Sequence, residues 1–378
     1  MAAGAATPTA FITTRAFARE ELMATTTLAA DARTADISAW RTLGLAMLAV
    51  RFTQGWIFWG GGSRRFIYAP SKLDPHASSW MANKFQSAMP GALLGMDHVV
   101  SYMLHHFTLL YTGIIVFSAV ELIFGLFLIF GFMTRLSALI TIGISVVLML
   151  LFGWQGATCI DEWTMASANF AMGVALFIGG SAAWSVDSWM LRRNPALAVR
   201  GWFQWFGSGP WSSARVNRLG LIGAIITVLF VVLTYNDFRG SVITPFHGGP
   251  VSPSKHHVSL SAGSVGTDGS VRFTAYLDAG TPAEPANIIR AELIGAQGQV
   301  VEAWDGAALA ALPKTAFIND YNYNKFGPGY AGITAKMGAR AAISLPPAQP
   351  GLNLANGTYA VVLHSVNGHS YTLQVKRP

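Results

Sequence analysis

The sequence predicts an α-helical membrane bundle, four helices plus a fifth span, followed by an extracytoplasmic all-β sandwich. Three observations carry that fold class. Hydrophobic residues make up 52% of the 378 residues and charged residues only 11%, with a mean hydropathy of +0.42, too apolar and too charge-poor for an ordinary soluble domain. Apolar runs recur up to residue 235, each near the roughly 20 residues that cross about 30 Å of hydrocarbon. Beyond Tyr235 the pattern changes to short alternating runs separated by turn residues, as in half-buried strands.

The elements follow in order. Residues 1–38 are Ala- and Thr-rich with scattered charge and no apolar core, so they read as a flexible cytoplasmic tail and not as a signal peptide. Residues 39–190 form a four-span membrane domain, with spans near 41–60, 108–131, 136–153 and 164–181. Residues 191–217, rich in Trp, Arg, Gly and Pro, suit the headgroup zone as a cytoplasmic interfacial connector. Residues 218–236 form the fifth transmembrane helix, and 237–378 the sandwich.

Orientation follows from the arginines. Arg15, Arg19, Arg33 and Arg41 precede the first span, Arg135 lies between the second and third, and Arg192, Arg193, Arg200, Arg215 and Arg218 lie between the fourth and fifth. Short cytoplasmic loops collect Lys and Arg, so the N-terminus and those two loops fall inside. The 61–107 loop, the loop around Cys159 and the sandwich then face the periplasm of a multi-pass protein of the bacterial inner membrane. Arg64, Arg65, Lys72 and Lys84 in the outer loop run against this rule and need a reason of their own. Topology accounts for the formal charge of +7. With no zinc-finger spacing, basic helix or aromatic RNA-binding pattern, nucleic acid is rejected as a partner.

Seven strands are expected: Val258–Ala262, Val271–Leu277, Ile288–Ile294, Val300–Trp304, Ala341–Leu345, Tyr359–Val366 and Tyr371–Val375. Turns fall at 266–269, 297–299 and 366–369, where Asn367-Gly368 suits a two-residue hairpin. Seven short strands over some 120 residues suggest a β-sandwich.

Cys159 is the only cysteine, set in a polar interruption between two apolar runs and followed by Asp161 and Glu162. It is either inert packing or a nucleophile. Reactive thiols need a nearby cation or helix N-terminus, and the adjacent carboxylates push the other way. Arg51 and Glu121 each sit ten residues from an inner span end, at Arg41 and Gly131, or roughly 15 Å in depth. Buried charges at one depth predict an Arg51–Glu121 ion pair, either a structural clamp or a charge element beside a quinone head, with Trp59 and His106 in the same region. Gly60-Gly61-Gly62 would let the backbone approach a ligand, and Arg64, Arg65 and Lys72 beside it make an oxyanion site or a phospholipid anchor. His98, His105 and His106 lack metal-ligand spacing and read as locally hydrogen-bonded, with proton exchange toward a quinone as the functional alternative. Arg239 and His247 lie on the strip that leaves the fifth span, either leaning over the thiol or forming a plain linker. A single cysteine excludes an internal disulfide relay. No haem, iron–sulfur or dinucleotide motif is present, so no metal, haem or flavin is expected and the carrier must be diffusible.

The run Arg51-Phe52-Thr53-Gln54-Gly55-Trp56-Ile57-Phe58-Trp59-Gly60-Gly61 through Lys72-Leu73-Asp74-Pro75 resembles the DoxD membrane subunit of thiosulfate:quinone oxidoreductases. So do Glu121-Leu122-Ile123-Phe124-Gly125, Gly131-Phe132-Met133-Thr134-Arg135 and the stretch from Gly153 to Trp163. The strip Arg239-Gly240-Ser241-Val242-Ile243-Thr244-Pro245-Phe246-His247-Gly248-Gly249 resembles the companion DoxA subunit, as does Tyr323-Asn324-Lys325-Phe326-Gly327-Pro328-Gly329-Tyr330. Together the resemblances cover 39–378 in one fused chain. They imply oxidation of two thiosulfate ions to tetrathionate with reduction of a membrane quinone, ubiquinone or similar. Cys159, Asp161, Glu162 and His247 are then the candidate catalytic group, and Arg64, Arg65, Lys72 and Arg239 the candidate substrate-binding group. A homo-oligomer or a respiratory oxidase is a candidate partner. The competing readings are a non-catalytic assembly subunit of an oxidase and a sulfur-oxyanion transporter.

Overall fold

The structure, a computed structural model, describes residues 34–155, 162–239 and 256–377. The expected helical region followed by an antiparallel sandwich is the architecture found. The chain divides into two compact units. One holds the residues up to Ile57 with Phe124–Ile140 and Met172–Ile226, and the other holds Phe58–Ile123, Thr141–Ala171 and the residues from Thr227 on.

Helices occupy all five segments expected to span. The first is helix α1 (34–46) running into α2 (Leu48–Ser63), because Met47 N–H bonds the Leu43 carbonyl and Arg51 N–H bonds that of Met47, each at 2.9 Å. A single turn residue, Met47, separates the two helices, and helix is already present at residue 34, inside the stretch expected to be tail. Next come α3 (Met81–Ala88), α4 (Met96–His105), α5 (Phe107–Phe130), α6 (Thr134–Phe152), α7 (Glu162–Gly179), α8 (Val186–Arg193), α9 (Gly201–Trp205) and α10 (Ser213–Arg239). Three stretches, Phe107–Phe130, Thr134–Phe152 and Ser213–Phe238, are long and apolar enough to cross a membrane.

Within the first unit, the 191–217 segment, expected as an interfacial connector, contributes to the packed interior. Phe203, Ser208 and Trp211 are buried. Arg135, expected as a loop cation, is enclosed by this segment. Its Nε donates to the Phe177 carbonyl at 2.9 Å, its Nη1 to those of Gln204 and Gly209 at 2.5 and 2.7 Å, and its guanidinium lies 3.6 Å from the Trp211 ring centroid. Asp187 accepts from the Met133 and Thr134 amides at 2.9 and 3.0 Å, satisfying the N-terminus of α6, and from Ser208 Oγ at 2.7 Å. The positive-inside rule counts arginines and is blind to one that a fold encloses.

Within the second unit, β1 (His257–Val265), β2 (Val271–Ala279), β3 (Ala286–Ile294), β4 (Val300–Trp304), β5 (Phe317–Asn319), β6 (Phe326–Pro328), β7 (Ile333–Ala335), β8 (Arg340–Leu345), β9 (Gly357–Ser365) and β10 (Ser370–Arg377) form two antiparallel sheets. Their orders are β1-β2-β8-β5 and β10-β9-β3-β7-β6, with β4 also on β3. All seven expected strands are present, and β5, β6 and β7 are additions of three residues each. Alternation buries Val271, Phe273, Ala275 and Leu277 on β2. On β3 the buried phase shifts from Ala286 and Ile288 to Ala291 and Leu293, across a bulge between Ile288 and Arg290. The Asn367-Gly368 turn corrects the two-residue expectation. Only Gly368 takes a positive φ, 81°, and Ser365 N–H bonds the His369 carbonyl at 2.8 Å, so the loop is three residues long.

Candidate functional site

Glu121 was expected to pair with Arg51. It pairs instead with Arg65, and both side chains are largely buried. The reason is register. Where α2 passes α5, Gly61 and Gly62 face Glu121 and Leu122, and a β-carbon on Gly62 would lie 2.6 Å from the Leu122 amide nitrogen. Glu121 is therefore level with residues ten positions beyond Arg51, about 15 Å along the helix. The helix also widens after Ser63 into a π-helical turn, Arg64–Tyr68, which keeps Arg65 at the helix end, within reach of Glu121. Arg51 meets the carbonyls of Ala183 and Trp184, at 3.4 and 2.7 Å. Gly62 thus serves helix approach, while Gly60 faces open space.

The expected cation cluster forms in part. Arg65 is committed to Glu121, whereas Arg64 is exposed. Lys72 is half-buried, and burial together with the nearby Arg64, Arg65 and Lys84 holds its ammonium below the ordinary lysine range. Lys84, on α3, pairs with Glu162 at 2.9 Å and lies 5.2 Å from the Phe152 ring centroid. Glu162 is thus an ion-pair partner, not an isolated carboxylate.

The histidines bond locally, as expected. His98 Nδ1 contacts Asp97 at 3.0 Å, and the Nδ1 atoms of His105 and His106 lie 2.8 and 2.7 Å from the Ser101 and Tyr102 carbonyls. The His106 ring sits 4.2 Å from that of Tyr102. Trp59 is half-buried. Cys159, Asp161 and His247 lie outside the described residues, as does the side chain of Arg239.

A cavity of about 600 Å³, a size that suits small-molecule sites, opens in the second unit. Its described walls come from Ser78–Ser87, from Gln155 and Glu162, from 281–285, and from Asn324, Lys336 and Met337. The helical and sandwich parts are pinned together beside it by two amides. Gln86 Nε2 donates to the carbonyls of Asn324 at 2.8 Å and Gly338 at 2.9 Å, and its Oε1 accepts from the Asn324 amide at 2.8 Å. Asn324 Nδ2 donates in turn to the carbonyls of Asn83 and Met337, both at 2.8 Å. Both residues are buried. Gly338, at φ 77°, lies so close that a β-carbon would overlap the Gln86 carbonyl. Trp80 packs edge-on to Tyr323 at 4.9 Å, and Ser101 Oγ meets Tyr321 OH at 2.8 Å. Gln155 Nε2 donates to the Ser87 carbonyl at 2.7 Å.

Sequence reasoning singled out neither Gln86, Trp80 nor Lys336, and it treated Lys84 only as an unexplained outer cation. The signal within reach was the Tyr323-to-Tyr330 strip, which contains Asn324. Among the described residues no cluster of three His, Cys, Asp or Glu side chains is placed to hold a metal ion.

Comparison with protein families gives two matches along the chain. Residues 46–206 match the family model described as TQO small subunit DoxD, and residues 238–374 match that described as TQO small subunit DoxA.

Proposed function

Because the chain belongs to the DoxD and DoxA families of thiosulfate:quinone oxidoreductase small subunits, joined in one polypeptide, we propose that it oxidises thiosulfate to tetrathionate and delivers the electrons to a membrane quinone. In this reading the five helices cross the inner membrane, and the sandwich and the cavity face the periplasm.

One observation carries the choice of site. Gln155 and Glu162, the described residues on either side of the segment that contains Cys159, both line the cavity. Cys159 is four positions from one and three from the other.

The chemistry balances without a second cysteine. The Cys159 thiolate and the sulfane sulfur of one thiosulfate form an S–S bond, giving a Cys–S–S–sulfonate adduct and releasing two electrons. The sulfane sulfur of a second thiosulfate attacks the adduct's outer sulfur, the thiolate of Cys159 leaves, and tetrathionate departs. This is covalent catalysis in which one difficult coupling becomes two displacements. Quinone supplies the two-electron acceptor and takes up two protons. His106 suits the hand-over of those protons: its side chain is exposed, with Nδ1 on the Tyr102 carbonyl. The Arg65–Glu121 pair sets a fixed dipole, with no net charge, where α2 meets α5. Arg64, Lys72 and Arg239 supply positive charge that eases the approach of two dianions, and Asp161, Glu162 and His247 are the groups available for proton transfer near the thiol.

The test uses the purified full chain in lipid nanodiscs with thiosulfate and a soluble ubiquinone analogue. Loss of oxidised-quinone absorbance with matching tetrathionate formation is expected. No thiosulfate-dependent quinone reduction refutes the enzyme and leaves the assembly-subunit or transporter reading.

A further inference from the structure

Trp80 is 2% exposed, yet its indole Nε1 has no hydrogen-bond partner among the described residues. A buried donor without a partner costs about 1–3 kcal/mol, so an orphan on a residue that lines a cavity points to a ligand that supplies the acceptor. Trp80 lines the cavity and stands at the N-cap of α3, a helix whose first turn carries no acidic side chain and whose N-cap makes no side-chain bond. Free amides and the positive end of the helix dipole favour an anion at that end. Lys84 is one turn further along the same helix, and Lys336 joins the wall from the sandwich.

Lys336 is exposed and forms no ion pair among the described residues. It opens the turn Lys336-Met337-Gly338-Ala339, in which Ala339 N–H bonds the Lys336 carbonyl at 2.9 Å. That turn is held to α3 by the Gln86 bond to Gly338. Two carboxylates, Glu162 and Glu284, share the cavity. Glu162 is matched by Lys84, which leaves Lys336 and the start of α3 as the positive pole.

We infer that Trp80 Nε1 and Lys336 form an oxyanion subsite for the sulfonate end of a sulfur dianion, assembled only when the sandwich is seated on α3. Resting on the reading of the chain as a thiosulfate oxidase, this subsite gives the cavity its substrate class and supplies two substrate-binding residues from the two family parts. The indole N–H donates to a sulfonate oxygen, and the ammonium of Lys336 closes over the same group. Trp80→Phe keeps the ring edge against Tyr323 and removes only the donor. Lys336→Gln removes the charge at an exposed position where folding is untouched.

Calorimetric titration of thiosulfate into the full chain in nanodiscs, with no quinone present, reads the subsite without turnover. Trp80→Phe is expected to weaken binding about 10- to 100-fold, the range for a hydrogen bond to a charged group, and Lys336→Gln is expected to weaken it at least several-fold. Unchanged thiosulfate binding in Lys336→Gln and in a folded Trp80→Phe overturns the subsite, while wild-type thiosulfate oxidation leaves the proposed function standing. If the wild type does not oxidise thiosulfate, the proposed function fails, and sulfate and methanesulfonate decide the subsite separately. Binding in the wild type that is lost in the variants supports it, and no anion binding in the wild type overturns it. Should Trp80→Phe fail to fold, Lys336→Gln decides alone.

Discussion

Gln86→Ala removes the hydrogen bonds that hold the sandwich to α3, and the structure sets the size of the effect. Three bonds of 2.8–2.9 Å are lost: two donated by Nε2 and one accepted from the Asn324 amide. If water replaces the lost partners, each costs about 1 kcal/mol. If the groups stay dry, each costs about 1–3 kcal/mol. The lower limit, about 3 kcal/mol, shifts the docking equilibrium roughly 100-fold. Hydrogen exchange on the full chain in nanodiscs reads this at the Asn324 amide, which is bonded directly to Gln86. Its exchange should accelerate about 100-fold in Gln86→Ala, while amides paired between β3 and β9 exchange as in the wild type. Asn324 protection equal to wild type refutes the reasoning, because it means that something other than Gln86 closes that amide.

Other outcomes follow from the same geometry. Arg65→Gln leaves Glu121 uncompensated and should destabilise the protein by about 3–5 kcal/mol. A double-mutant cycle with Glu121→Gln should show strong coupling for Arg65 and little for Arg51, and the reverse result restores the Arg51–Glu121 pair. Neutralising Arg64 and Lys72 together should raise the thiosulfate concentration for half-maximal rate several-fold, and an unchanged saturation curve removes them from substrate binding. Burial holds the Glu302 carboxyl above its ordinary 4.5, against the pull of the Gln349 and Ala348 amides. The folded state therefore grips that proton more tightly than the unfolded chain does. The stability contributed is present at low pH and fades as pH rises through and beyond 4.5. Glu302→Gln should flatten this decline in thermal melts across that range, and equal slopes for both proteins contradict it.

The helices and seven strands were legible because hydrophobic run length and alternation are local signals. β5, β6 and β7 were not, since three residues are too few to display a period. Arg51 and Glu121 were rightly read as charges that need partners. The depth estimate took Arg41 as the inner end of a helix that is already formed at residue 34, and antiparallel register cannot be read from two separate runs. What fixes it is the absent side chain at Gly62, which lets α2 and α5 touch. The Gln86–Asn324 contact joins residues 238 positions apart and leaves no periodic trace. Trp80 looks like any aromatic near a membrane surface. Its significance lies in one unpaired N–H, a property of the folded state alone.

The proposed covalent adduct of thiosulfate on Cys159 is read by intact-protein and peptide mass spectrometry of the full chain after brief exposure to limiting thiosulfate and excess oxidised quinone. A mass gain of one thiosulfate on the peptide bearing Cys159, chased off as tetrathionate by further thiosulfate, is expected. Tetrathionate formation at the wild-type rate by Cys159→Ala, with no adduct on the wild type, contradicts it.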